Sequence, residues 1–132
     1  MNKKFFLVLF AASLLVYISS CEKGGTSILT IAFNTANVYV SADTILYRDT
    51  VFNIGIIASK TGPEGYLTSA KITRSVNGGA DSTLLDMSFI QQYFIQYYSF
   101  RAPDSGVTNR YTATVGNQNE QTNSIHLTVT GK

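Results

Sequence analysis

The sequence predicts an all-β domain, a sandwich of seven to eight short antiparallel strands, and three observations carry that prediction. Beyond the opening apolar segment Thr, Ser, Asn, Ile, Val and Tyr dominate while Lys, Glu and Leu are sparse. That is the composition of pleated, half-buried strands. Apolar residues alternate with polar ones over several runs, which is strand and not helix periodicity. Turn-forming clusters separate these runs at short, regular intervals, the spacing of a sandwich. After the opening apolar segment no stretch keeps a helical period for more than two turns.

The elements follow in order. Residues 27–33 (SILTIAF) read as a first strand, and residues 38–40 (VYV) as its continuation after the Asn34-Thr35-Ala36-Asn37 break. Residues 52–60 (FNIGIIASK) place Phe52, Ile54, Ile56 and Ala58 on one face, and Thr61-Gly62-Pro63-Glu64-Gly65 ends the strand with loop chemistry. Residues 67–76 put Ala70, Ile72 and Val76 inward and Lys71 and Thr73 outward. Asn77-Gly78-Gly79 is the clearest turn, because Asn-Gly adopts the positive φ that a two-residue hairpin needs. Residues 82–89 return from it, and residues 93–102 (YFIQYYSFRA) form a further strand before the Pro103-Asp104-Ser105-Gly106 turn. Residues 109–116 point Tyr111, Ala113 and Val115 inward. A polar hairpin loop spans 116–121, and residues 124–130 close the domain with Ile125, Leu127 and Val129 inward. The expected core therefore holds Ile54, Ile56, Ile72, Val115, Leu127 and Val129. Tyr111, on the penultimate strand, is either a tyrosine corner or a plain core tyrosine.

The chain opens MNKKFFLVLFAASLLVYISSC. Two lysines precede about fourteen apolar residues, the core length of an export signal and short of the roughly 20 a membrane span needs. Ile18-Ser19-Ser20-Cys21 then resembles a bacterial lipobox: an aliphatic residue, two small residues and a cysteine. The resemblance implies cleavage before Cys21 and lipidation of its thiol. It also accounts for the single cysteine of the chain, which in an exported protein otherwise needs explaining. Each buried CH₂ contributes about 0.8 kcal/mol, so two or three acyl chains on one residue hold a protein at a membrane where one chain holds it marginally. The organisation read from sequence is a signal peptide over 1–20, a lipidated cysteine and polar tether over 21–26, and the sandwich over 27–132.

Lys3 and Lys4 account for the whole formal net charge of +2. Without them acids and bases balance, and no basic field remains to attract nucleic acid. A second resemblance extends over roughly residues 28–131. The order IGIIASKTGPEGYLTSAKITRSVNGG, an aromatic strand, then YTATVGNQNEQTNSIHLTVTG resembles the small immunoglobulin-like lipoprotein domains of Bacteroidetes. It implies an immunoglobulin-like β-sandwich. Where those domains close with an Asp-x-x-Gly hairpin, this chain has Gly116-Asn117-Gln118-Asn119, which removes the aspartate of any metal site there.

No pattern for catalysis emerges. His126 is the only histidine, alternation points it away from Ile125 and Leu127, and no Gly-x-Ser-x-Gly nucleophile turn accompanies it. One histidine and a lipidated cysteine do not make a zinc site. Asp43, Asp49, Asp81 and Asp86 lack the acid density of a calcium loop. Neither the carboxylate pattern of a glycosidase nor a phosphate-binding glycine pattern stands out, and no cofactor is expected.

The unusual element is YFIQYYSF, residues 93–100. Tyr93, Ile95 and Tyr97 share one face of the strand, and Phe94, Tyr98 and Phe100 the other. Either one set is open to solvent, or a loop or the Val38 segment covers it, or a bulge re-aims part of it. If one set is open, the tyrosines are expected outward, since hydroxyls tolerate water and Phe rings prefer burial. Tyr93 and Tyr97 are thus the candidate ligand-binding residues, beside Cys21 as the lipidation site. The expected function is a lipid-anchored, non-catalytic binding or structural module of the cell envelope, contacting a protein or glycan partner. The alternative is an accessory glycan-binding lipoprotein of a polysaccharide-uptake system. The single acid of Glu22-Lys23-Gly24-Gly25, where surface-exported relatives in Bacteroidetes carry an acidic cluster, favours the periplasmic face of an outer membrane over the cell surface.

Overall fold

The computed structural model describes residues 28–62 and 65–132. The expected signal segment, Cys21, the tether, Ser27 and the Pro63-Glu64 pair of the loop lie outside the described residues. Among the described residues eight strands form two sheets. The three-stranded sheet has the order β1 (Ile28–Phe33), β3 (Val51–Thr61), β6 (Tyr93–Arg101). The five-stranded sheet has the order β2 (Thr44–Leu46), β8 (Thr122–Gly131), β7 (Thr108–Asn117), β4 (Leu67–Val76), β5 (Ser82–Gln91). This is immunoglobulin-like connectivity. In the usual lettering, strands A, B and E make one sheet and G, F and C the other, with C′ at its edge. The first strand is split, β1 joining one sheet and β2 the other, and no D strand lies beside E among the described residues. One feature departs from the all-antiparallel expectation: β2 pairs parallel to β8, with Thr44 opposite Val129.

The core lies where the expected alternation put it. Phe52, Ile54, Ile56 and Ala58 of β3 are buried, and so are Ile72, Val115, Leu127 and Val129. The three aromatic rings at one end of the core touch: Phe100 lies 4.8 Å and Phe52 5.9 Å from the Tyr111 ring centre. The Tyr111 hydroxyl meets Asn109 Nδ2 at 3.4 Å, a side chain two residues back on the same strand, so Tyr111 is the plain core tyrosine of the two readings. The Asn77-Gly78 turn forms with φ of 49° and 73°, and Gly79 N–H donates to the Val76 carbonyl at 2.9 Å. In the closing hairpin Asn117 caps the turn. Its Oδ1 accepts the N–H groups of Asn119 and Gln121, both at 3.0 Å.

Two expectations need correction. Residues 38–40 do not continue β1 as a strand. They lie in a turn-rich segment in which Tyr39 N–H donates to the Ala36 carbonyl and Val40 N–H to Asn53 of β3. Val76, expected inward, is 42% exposed at the last position of its strand, and Ser75 beside it is buried instead, its hydroxyl donating to the Gly79 carbonyl at 2.7 Å. Thr44–Leu46, to which the sequence pattern assigns no element, is strand β2.

Candidate functional site

The outward rows of the three-stranded sheet form the most distinctive surface. Along β6, Tyr93, Ile95 and Tyr97 are 54%, 51% and 62% exposed, while Phe94 is 3% exposed and Tyr98 and Phe100 are half-buried. The tyrosines therefore point outward, as the hydroxyl argument requires. Register explains it: Phe94 lies opposite Ala58 and Phe100 opposite Phe52, both core residues of β3, whereas Tyr97 lies opposite Gly55 and Ile95 opposite Ile57. The inner row is held by its own contacts. Phe94 stacks on Phe89 of β5 at 4.9 Å with rings 9° from parallel, and the Tyr98 hydroxyl donates to Met87 Sδ at 3.5 Å. Burial pushes the Tyr98 phenol up from its ordinary pKa.

Gly55 shapes the centre of this face. A Cβ there would come within 2.7 Å of the Asn34 Cβ and 3.2 Å of the Tyr39 ring. The absent side chain lets the 34–40 segment lie on the sheet, fixed by Asn34 N–H to Gly55 O and Val40 N–H to Asn53 O, both 2.8 Å. Tyr39 is thereby set against Tyr97, ring centres 6.3 Å apart and tilted by 42°. The Val38 segment thus buttresses one side of Tyr97 without covering it. The surrounding outward positions are neutral. Thr30 and Ser59 share a hydroxyl bond of 2.7 Å, and Ser99 Oγ donates to Asn53 Oδ1 at 2.5 Å. The first outward charge along β6 is Arg101, at the strand end. The sequence pointed to Tyr93 and Tyr97. It named the Val38 segment as a cover for this row, but gave no sign that Tyr39 would brace Tyr97 over Gly55.

The other polar candidates are placed apart. His126 is exposed on the outer face of the five-stranded sheet, opposite Thr112. Asp43 Oδ1 accepts the Thr128 N–H at 2.7 Å, a structural task that ties the segment before β2 to β8. Asp49 and Asp104 flank Arg48 at 3.4 and 3.8 Å in the open, where such pairs contribute little. Among the described residues no three His, Cys, Asp or Glu side chains group as metal ligands would. A shallow groove between β2 and the C-terminal end of β8, lined by Ile45, Tyr47, Thr130 and Lys132, has the Lys132 ammonium 5.1 Å from the Tyr47 ring centre. Cys21 lies outside the described residues.

No family model matches the chain, and no curated protein matches it. Among solved structures, the chain is similar to the CARDB domain of the PF1109 protein of Pyrococcus furiosus, determined in complex with di-metal ions. The TM-score is 0.47 at 15% identity, over 80% of this chain and 96% of that one.

Proposed function

We propose that this protein is a lipid-anchored cell-envelope module that binds a protein or glycan partner without catalysis, and that the tyrosine face of the three-stranded sheet is its contact surface. One observation carries the reading: Tyr93 and Tyr97 stand open on a rigid sheet, with Tyr39 braced against Tyr97 over a glycine. A sandwich has no folding need for such rings on its solvent side. Exposed aromatic clusters of this kind mark contact sites, where an amphipathic ring covers a large area at small entropic cost. The neutral, hydroxyl-bearing surroundings favour a second reading, accessory capture of a neutral glycan, since sugar rings stack on tyrosine and exchange hydrogen bonds with hydroxyls and amides.

Two experiments test the proposal. The resemblance of Ile18-Ser19-Ser20-Cys21 to a lipobox supports an anchor on Cys21, so Cys21→Ala is expected to leave unprocessed precursor and to abolish labelling by a clickable palmitate analogue in the native host. Retained labelling refutes the anchor. The double change Tyr93→Ala, Tyr97→Ala is expected to leave the domain folded and to weaken binding at least tenfold, to whichever envelope polysaccharide or envelope protein the unmodified chain retains on an immobilised array. Unchanged retention moves the site away from this strand.

A further inference from the structure

The two sheets have four edges, and they are not alike. β2 is three residues long. β1 is short, and its edge is partly occupied by Asn123 of β8, whose Nδ2 donates to the Leu29 carbonyl at 3.0 Å. β5 is long, but two register shifts against β4 kink it, between Leu67 and Ser69 and between Ile72 and Thr73, and Asp86 charges it. These are the usual ways in which proteins blunt an edge against pairing: brevity, cover, bulges and charge. β6 has none of them. It runs nine residues with no bulge against β3, no proline, and no charge before Arg101. Among the described residues no strand lies on its far side.

The ladder shows which backbone groups that edge offers. Lys60 N–H donates to the Gln92 carbonyl, and Ala102 N–H to Thr50. Even-numbered residues of this stretch therefore face β3, and Tyr93, Ile95, Tyr97 and Ser99 direct both N–H and C=O toward the open side. An antiparallel second copy of the same strand offers the matching set.

We propose that β6 is the seam of a two-fold symmetric dimer, in which β6 of two copies pairs antiparallel with Gln96 on the axis. The side chains select that register. Gln96 belongs to the inner row by its pairing with Ile56, yet it is exposed between buried Phe94 and half-buried Tyr98. Centred on Gln96, the two amides meet each other, Phe94 lies opposite Tyr98 in the inner row, and Ile95 lies opposite Tyr97 in the outer row. Aromatic pairs and aromatic–β-branched pairs are favourable cross-strand neighbours. Centring on Ile95 or on Tyr97 would instead put Gln96 opposite Phe94 or Tyr98, a polar group against a ring. The strand is neutral from Tyr93 to Phe100, so two copies meet without charge repulsion. The result is one continuous six-stranded sheet with both tyrosine rows on the same side, an isologous interface.

The test is sedimentation velocity of the full chain in non-ionic detergent, with Ile95→Pro as the variant. The Ile95 N–H faces the open edge, so proline removes a seam donor without touching a bond to β3. The unmodified chain is expected to sediment as a dimer, and Ile95→Pro to self-associate at least tenfold more weakly with an unchanged circular dichroism spectrum. A monomeric unmodified chain, or a dimer that persists in folded Ile95→Pro, overturns the proposal. If Ile95→Pro unfolds, cross-linking decides. Gln96→Cys is expected to give a disulfide-linked dimer on mild oxidation of native-host membranes, while Ser88→Cys, on the outer face of β5, gives none. Equal cross-linking at both positions, or none at Cys-substituted 96, overturns it as well.

Discussion

The outer faces of the two sheets differ sharply. That of the five-stranded sheet carries Thr112 opposite His126, Thr114 bonded to Ser124 at 2.7 Å, and Lys71 opposite Asp86. These are small hydroxyls and charges, and the exposed Ile45, Leu84 and Ile90 of this sheet are aliphatic and lie on its two edge strands. That of the three-stranded sheet carries Tyr93, Ile95 and Tyr97 beside half-buried Tyr39 and Ile57. Both faces belong to one sandwich with one core, and the central strands β7 and β8 of the five-stranded sheet show that the fold accepts an outer row without Tyr or Phe rings. The tyrosines are an addition to what folding asks for, and that is the physical ground for assigning contact to them.

The largest expected effect sets the core against this face. Ile54→Ala empties a site that is 2% exposed and is expected to destabilise the domain by about 2–5 kcal/mol. The Tyr93→Ala, Tyr97→Ala chain removes far more side-chain volume, yet it is expected to unfold at nearly the unmodified temperature. Thermal and urea denaturation of both chains check the contrast. A double mutant as unstable as Ile54→Ala would make the outer tyrosines structural and erase the difference between the two faces.

Much of this arrangement is legible in the sequence because alternation along a central strand reports burial directly. Phe52, Ile54, Ile56 and Ala58 of β3 and Leu127 and Val129 of β8 lie inward as the pattern demands, and Asn77-Gly78 turns where its φ preference puts it. The pattern is weaker where pairing is brief or remote. β2 is three residues with a parallel partner eighty-odd positions away, too short to show a period. At the end of β4 the alternation fails, because the Asn77-Gly78 turn buries Ser75 and leaves Val76 exposed. Gly131 packs so closely that a Cβ would strike the carbonyl oxygens of Pro103 and Asp104, a constraint set by another loop and invisible in the residues around it. The tyrosine row was readable from the hydroxyls alone, whereas its brace by Tyr39 required knowing that the chain doubles back over Gly55.

That brace gives a smaller and more specific effect. Gly55→Ala is expected to displace Tyr39 from Tyr97, because the added methyl group meets the Asn34 Cβ at 2.7 Å. Overpacking of this sort costs about 1–3 kcal/mol, and the segment can yield by lifting off the sheet. Partner binding should fall along with the thermal midpoint, and fluorescence quenching of the tyrosines by acrylamide should rise. If binding is unchanged while quenching rises, Tyr39 is a passenger, and the contact surface is limited to the β6 row.

The smallest expected effect separates the two rows of β6 by pH. Tyr98, on the inner row, has its phenol pKa raised by burial. Below the ordinary phenol range the group is neutral in both folded and unfolded chains and adds no pH dependence. As pH rises through that range the unfolded chain loses its proton first, the folded chain then binds more protons than the unfolded one, and stability falls. The loss continues until pH passes the raised value of the folded state. Tyr98→Phe keeps the ring against the core and removes the titrating hydroxyl. It gives up the bond to Met87 Sδ, a small and pH-independent cost. The expected outcome is two denaturation curves that differ by a constant in neutral solution and converge, then cross, in alkali as the tyrosine chain loses stability faster. Parallel curves to the alkaline limit would show that Tyr98 is as hydrated as an outer-row residue, and that the division of β6 into a buried row and a wet row is less complete than the packing of Phe94 and Phe89 makes it.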